Sequence, residues 1–279
     1  MKISVILSTY NQPAWLEKAI WGFAAQTHSD FELVIADDGS RDDTRQTIDR
    51  LRSDTSLTIR HVWHEDRGFR KCTILNRAVV EAQADYLVFT DGDCIPRRDF
   101  LAQHAHFAEP GYILSGGIVR LPMALSQVIS RDDIISGRAH NVFWLRSQGL
   151  PWSLKLFKLI SNPRLGAFLD RTTTTKSTWN GGNSSTWKEG FLRVNGFDER
   201  MEYGGEDREL GERLVNLGFR SKSLRYRTAL VHLDHGRSYV RKEALALNQK
   251  IRRQTRRSRS VWTPYGIEQQ APPQLTRAA

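Results

Sequence analysis

The chain has 279 residues, 39% of them hydrophobic and 26% charged, with a formal net charge of +10. That composition excludes an intrinsically disordered chain, and the length suits one large α/β domain or two smaller ones. No apolar run approaches the roughly 18 residues of a membrane span. The two cysteines, Cys72 and Cys94, have neither metal-type spacing nor a disulfide-rich context, so both are expected to be buried small apolar residues.

The opening MKISVILSTYNQ carries one lysine and no small-residue cleavage site before it enters a periodic pattern. It reads as a first strand, and the expectation is an intracellular chain. Short β-type runs then alternate with helical patterns: ISVILST, residues 13–25, FELVIAD, residues 42–53, LTIRHVW, residues 70–83 and DYLVFTD. This rhythm predicts a parallel sheet with right-handed crossovers. Asn11 stands where it can cap the first helix, with Pro13 in the first turn, and Ser40 followed by Asp43 has capping-box spacing. Ligands of such sheets sit beyond the carboxyl ends of the strands. The polar clusters STYN, ADDGS and TDGD all fall there.

After YILSGGIVRL the rhythm breaks. Residues 123–170 read as helical or irregular, and within them GLPWSLKLFKLISNPRLGAF is amphipathic and basic. From Thr172 the chain is polar and loop-rich until a helix that begins near Gly205. A strand, YRTALVHLDH, precedes a basic helix over 239–257. The last twenty residues, with Pro264, Pro272 and Pro273, read as an extended or disordered tail. Charge is concentrated near this end, with nine Lys/Arg against one Glu between Arg237 and Arg259, which points to an anionic partner.

Three constellations can carry chemistry. In TDGD, Asp91 and Asp93 lie two residues apart beyond an apolar strand, with Gly92 between them. Their repulsion is relieved by a cation, by backbone amides or by a raised pKa. A divalent metal with a bound phosphate is the economical answer, and a solvated turn with Asx hydrogen bonds is the bland one. In GGEDRELGERL, Asp207 shares a helical stripe with Leu210, Leu214 and Leu217. It therefore faces inward, either as a first-turn acid favoured by the helix dipole or as a base for a hydroxyl, with Glu206 on the same substrate. In ALVHLDHGRS, His232 and His235 follow a strand. A neutral imidazole there can complete a Mn- or Mg-like site or be structural.

The segments SVILSTYNQPAWLEKAIWGFAAQT, FELVIADDGSRDDT, GFRKCTILNRAV and YLVFTDGDCIP together resemble the nucleotide-sugar-binding half of family 2 glycosyltransferases with the GT-A fold. The segment NGGNSSTWKEGFLRVNGFDERMEYGGEDRELGERL is similar to the acceptor half shared by that family, bacterial chondroitin-polymerase-type domains and β-1,4-galactosyltransferases. The resemblance spans roughly residues 3 to 235 in consistent order. It implies an α/β GT-A Rossmann-like sandwich with a mostly parallel sheet: a transferase domain over 1–236, made of a donor half 1–120 and an acceptor half 121–236, into which the residues themselves place the helical insertion 123–170. Residues 237–279 follow as a basic helical extension and flexible tail.

The same resemblance implies inverting transfer from a nucleoside-diphosphate sugar, usually UDP-linked, to a glycan or lipid-linked acceptor, with Mn or Mg. Thr9, Tyr10, Asn11 and Asp38 would receive the base and ribose, and Arg70 and Asn76 would help close the nucleotide site. Asp91 would lie near the ribose or metal, Asp93 would bind the metal, and His232 or His235 would complete its shell. Asn180, Gly181, Gly182 and Asn183 would form the loop beside the donor sugar. Asp207 would be the base and Glu206 would touch the acceptor.

Two other readings compete. A sugar nucleotidyltransferase could use a similar sheet and paired acids, but it is expected to carry a glycine-rich basic signature near the first strand, which LSTYNQPAW is not. A nucleic-acid-binding protein would explain the charge, yet the basic residues cluster after the transferase region without a nucleic-acid motif, and no nucleic acid is expected. For residues 151–165 and 237–259 the sharper expectation is contact with an anionic membrane surface, the bland one a solvated helix. The expected location is the cytoplasm, peripheral at the inner face of the cell membrane.

Overall fold

A computed structural model describes residues 1–236 and 240–268. Strands β1 (Ile3–Thr9), β2 (Phe31–Asp37), β3 (Ile59–Trp63) and β4 (Tyr86–Asp91) alternate with helices α1 (Pro13–Ala24), α2 (Asp42–Asp54) and α3 (Lys71–Glu81). All four strands run parallel. Every residue of β1 is buried, because helices cover both faces of the sheet. Side chains alternate between the faces. Val5 and Leu7 pack with α1, with Ile48 and Leu51 of α2, and with Phe100 and Leu101 of helix α4 (Phe100–Phe107), which follows the short strand β5 (Cys94–Pro96). Ile6 packs on the other face against Ile74, Leu75 and Ala78 of α3.

Strand β6 (Tyr112–Arg120) leads into the insertion. This contains helices α5 (Met123–Val128), α6 (Arg131–Ile135), α7 (Val142–Ser147) and α8 (Pro163–Thr172), with short 3-10 turns between them. Leu125, Ile129, Ile134, Leu145, Leu156 and Leu159 bury themselves against Ile95, Val119 and Val231, so the insertion caps one end of the sheet. The chain returns through β7 (Asn183–Trp187), α9 (Lys188–Arg193), α10 (Glu206–Asn216), β8 (Arg220–His232) and α11 (Lys242–Ser258). The eight strands lie in the order β3-β2-β1-β4-β7-β6-β8-β5, with β7 antiparallel to both of its neighbours.

The structure departs from the sequence-based expectations in three places. NSSTW is the strand β7, although it read as loop. Its Ser184, Ser185 and Thr186 are fully buried, and hydroxyls tolerate burial only when bonded. Ser185 Oγ lies 2.7 Å from both the Tyr86 hydroxyl and His104 Nδ1, and Ser184 Oγ accepts from Asn180 N.

Neither expected cap forms. Gln12 and Arg41 precede α1 and α2 without a side-chain cap. Asn11 Oδ1 instead accepts from Arg41 N at 2.9 Å, and Ser40 Oγ accepts from Asn11 N at 2.8 Å. The two residues clasp the ends of β1 and β2 to each other, with Asn11 at φ +49°.

The third departure is the C-terminal region. Helix α11 packs on the preceding elements: Ile251 enters the core that holds Leu210 and Leu214, and Thr255 Oγ1 donates to Glu209 Oε1 at 2.8 Å. Residues 260–268 are packed rather than free. Asn195 Nδ2 donates to the carbonyls of Thr263 and Glu268, and Glu199 N donates to Tyr265 O. Polar composition suggested a tail, and the partners that absorb those polar groups are distant in sequence. Residues 237–239 and the end of the expected tail, including Pro272 and Pro273, lie outside the described residues.

Candidate active site

The carboxyl ends of β1, β2 and β4 open into a cavity of about 630 Å³. β1 delivers Thr9, Tyr10 and Asn11 to its wall, the turn after β2 delivers Asp38, and the turn after β4 delivers Asp91, Gly92 and Asp93. Gly92 permits this junction. Its N–H donates to Ser8 O at 2.7 Å, and a Cβ on it would sit 3.0 Å from that same carbonyl.

At one end Asp38 accepts from His64 Nε2 at 2.7 Å and from Arg70 N at 3.0 Å. Burial raises its pKa, while His64, the Arg70 amide and Lys71 oppose the rise. Tyr10 is half exposed and donates to Asp66 Oδ2 at 2.9 Å. Phe69 and Tyr203 also line this cavity, with ring centroids 6.3 Å apart and an edge-to-face geometry.

The two acids of TDGD sit in different surroundings. Asp91 Oδ1 accepts from Lys71 Nζ at 2.6 Å and from Ser8 Oγ at 2.7 Å. Burial alone would raise its pKa, but the Lys71 charge, these two hydrogen bonds and the nearby His232 hold it below the ordinary carboxylate range. Burial in turn works to lower the Lys71 pKa, and Asp91, Glu206 and Asp93 hold it above the usual lysine value.

Asp93 Oδ2 faces two imidazoles, with His235 Nε2 at 2.9 Å and His232 Nε2 at 3.6 Å. The two rings stack with centroids 5.4 Å apart. Cys94 Sγ also lies near, 3.4 Å from Asp93 Oδ1, and belongs with Asp93 and His232 to a group of ligand atoms within 4.8 Å of one another. Burial pushes the Cys94 thiol far up and so keeps it neutral. The Asp93 carboxylate and the imidazoles are donors that suit a divalent ion of the Mn or Mg kind, and the buried His232 Nδ1 has no hydrogen-bond partner.

Across the cavity, Gly204 and Gly205 take φ of +111° and +100°, a region that favours glycine. They turn the chain so that α10 starts with Glu206 and Asp207 in the wall. Asp207 Oδ2 accepts from Gly181 N at 3.2 Å and its Oδ1 from Arg208 N at 2.7 Å. Glu206 Oε2 accepts from Gly204 N at 2.7 Å. Burial and the adjacent Asp207 raise the Glu206 pKa, with Lys71 opposing. Helix α11 braces this turn, because Asn248 Nδ2 donates to the carbonyls of Glu202 and Gly204.

Asn180, Gly181 and Gly182 also line the cavity. Three other expected residues do not. Asn183 is buried and donates to Gly117 O and Thr228 O. Asn76 is buried and ties α3 to Phe197 and Glu199. Arg70 contributes its backbone N–H to Asp38. Conversely, Lys71, Phe69, Tyr203 and Arg120 line the cavity and were not singled out from sequence. For Lys71 a signal existed: it opens α3 at the sheet edge where the acids gather.

Residues 4–149 match the profile of Glycosyl transferase family 2, and residues 171–236 match one described as the N-terminal domain of galactosyltransferase. Validoxylamine A glucosyltransferase of Streptomyces hygroscopicus is 31% identical over 230 residues, covering 76% of this chain and 51% of that protein. Chondroitin synthase of Escherichia coli is 27% identical over 235 residues, covering 78% of this chain and 33% of that one. The chain thus spans between a third and about half of the length of these curated relatives. Among solved structures, S. aureus TarS 1-349 in complex with UDP-GlcNAc superposes with a TM-score of 0.59 at 18% identity, covering 90% of this chain and 65% of that one. The mannosyltransferase PcManGT from Pyrobaculum calidifontis, in complex with GDP-Man and Mn2+, gives 0.54 at 20% identity, covering 85% and 58%. The fold is that of GT-A enzymes, and with more than half of its length matched by the family profile the chain belongs to glycosyl transferase family 2.

Proposed function

We propose that this glycosyltransferase moves a sugar from a UDP-sugar to a hydroxyl of a glycan or glycolipid acceptor with inversion at the anomeric carbon, in the synthesis of surface polysaccharide or lipopolysaccharide. One observation carries the reading: a single cavity is lined by both the Asp93–His232–His235 group and Asp207. Thr9, Tyr10, Asn11 and Asp38 receive the base and ribose, with Phe69 and Tyr203 offering aromatic surface to a planar base or a sugar face. Asp91, neutralised by Lys71, remains an acceptor for the ribose hydroxyls.

Asp93 with His232 and His235 would hold the divalent ion. When bound there, such an ion supplies positive charge to the departing diphosphate. Asp207 takes the proton of the acceptor hydroxyl as that oxygen attacks the face opposite the leaving group. Its two backbone N–H partners orient the carboxylate. Glu206, whose pKa is raised, bonds the acceptor beside it. One base and one direct displacement suffice, so no covalent intermediate is needed.

Asp207→Asn tests the base. Transfer should fall by about 10²-fold or more while UDP binding in the presence of manganese is retained; transfer near the unmodified rate would refute the assignment. Asp93→Ala should weaken UDP binding with manganese and leave it unchanged with chelator present. A thermal-shift panel of UDP- and GDP-sugars with manganese reads the donor directly.

We further propose peripheral contact with an anionic membrane. No helix among the described residues is long and apolar enough to cross a membrane. Yet Trp152 and Leu154 are 63% and 75% exposed beside Lys155, and the outer side of α11 carries exposed Lys250, Arg253 and Arg257. Salt-sensitive flotation with vesicles containing anionic phospholipid is expected. Equal flotation with neutral vesicles would count against it.

A further inference from the structure

A second hollow, of about 240 Å³, shares Asn180 and Asp207 with the donor cavity. Its wall brings together the hydroxyl side chains Ser115, Ser177 and Ser223 and the cations Lys176, Arg208 and Arg225. Among the described residues none of these cations is paired with a carboxylate. Arg225 Nη1 donates only to the Thr175 hydroxyl, at 3.0 Å. The nearby Asp170 is already held by Arg227 at 2.8 Å, and Asp207 is held by backbone amides. Two buried polar atoms of the same wall, Ser177 Oγ and Trp179 Nε1, have no hydrogen-bond partner, although Trp179 is only 1% exposed. Such groups are normally satisfied.

The positive field is felt behind the wall. Lys158 donates to Ile118 O, and its pKa falls to about 8 through burial and then through Arg225, Lys155 and Arg120. A concave surface with surplus positive charge and unused donors suits a group that is both anionic and rich in acceptor oxygens.

We propose that this hollow is the acceptor subsite and that it selects an acceptor bearing a carboxylate or phosphate close to the hydroxyl presented to Asp207. The proposal rests on the reading of Asp207 as the base and names the acceptor's chemical class. Arg225 and Lys176 receive the anion, and the shared wall at Asn180 places the neighbouring hydroxyl beside Asp207.

The test is calorimetric titration of the full chain, saturated with UDP and manganese, with matched methyl glycosides of gluco, galacto and manno configuration. Each is supplied as the neutral hexoside, the uronate and the 6-phosphate. In at least one configuration an acidic form should bind about tenfold more tightly than its neutral partner, and the uronate and phosphate arms identify which anion is taken. Lys176→Gln and Arg225→Gln, made singly, should each cut that preference to about twofold while UDP binding and Tm hold. Equal binding of neutral and acidic forms in every configuration, no glycoside binding to a chain that binds UDP, or an undiminished preference in both variants overturns the anionic subsite. Failure of the unmodified chain to bind UDP overturns instead the transfer reading beneath it.

Discussion

Lys71 Nζ lies 2.6 Å from Asp91 Oδ1, and the same oxygen accepts the Ser8 hydroxyl. The first acid of Asp91-Gly92-Asp93 therefore has a cation supplied by the protein, whereas the second faces a pair of imidazoles. Two carboxylates that look equivalent along the chain therefore sit in different surroundings.

Lys71→Met should cost roughly 1–3 kcal/mol in urea denaturation, because it strands a half-buried carboxylate. The double variant Lys71→Met/Asp91→Asn should recover most of that loss. The folded pKa of Asp91 is lowered and that of Lys71 raised. The Asp91 contribution is present above the unfolded carboxylate value of about 3.9, and that of Lys71 below the unfolded lysine value of about 10.4. The loss on substitution should thus be constant from about pH 5 to 9 and shrink below about pH 4, as Asp91 protonates.

His104 and His140 give the opposite kind of pH response. Burial holds both imidazoles down at about 4, below an unfolded value of about 6.5. The unfolded chain binds protons first, so stability is full above about pH 6.5 and declines as pH falls toward 4, by up to about 3 kcal/mol per imidazole. The urea midpoint should drop across this window. His104→Gln should flatten the decline, since the substituted amide keeps polar contact with Ser185 and Asn183 without titrating.

Gly182→Ala should impair function without unfolding the chain. A Cβ there would lie 2.9 Å from Asp91 Oδ2 and 3.0 Å from Ile118 Cδ1, so the chain at this part of the cavity wall must shift. UDP affinity is expected to fall about tenfold or more with a Tm within a few degrees of the unmodified chain. Steady-state kinetics and calorimetry check both.

Arg213 is 1% exposed and bonds Glu209 through Nε and Nη2 while donating to the carbonyls of Val194 and Gly196. Arg213→Ala leaves Glu209 charged and buried, an expected cost of about 3–5 kcal/mol in chemical denaturation. Truncation after residue 236 removes Ile251 and Thr255 from the same region. It should give insoluble or partly folded chain, which circular dichroism and gel filtration would register.

How much of the fold can be read along the chain follows from the range of the forces involved. The first four strands and three helices are legible because each buries its own periodic apolar face and crosses to its neighbour by a short connection. Strand β7 is not. Asn183 and Ser185 become strand residues because Tyr86, His104, Gly117 and Thr228, all far away in sequence, satisfy their polar groups. Asn11 and Ser40 were legible as polar turn residues, but the partners they take lie across the sheet from each other and not along one helix.

By itself the sequence determined the family, the parallel strands of the first half and the presence of Asp38, Asp91, Asp93 and Asp207 around one cavity. Strand polarity and helical stripes are local properties, and they carry those acids to one side wherever the core forms. Only the tertiary structure decided that Lys71 neutralises Asp91, that Asn76 and Asn183 turn into the core, and that α11 braces the turn before Asp207. Each of these depends on which distant group meets a buried charge or amide, and that is settled by packing and not by sequence pattern.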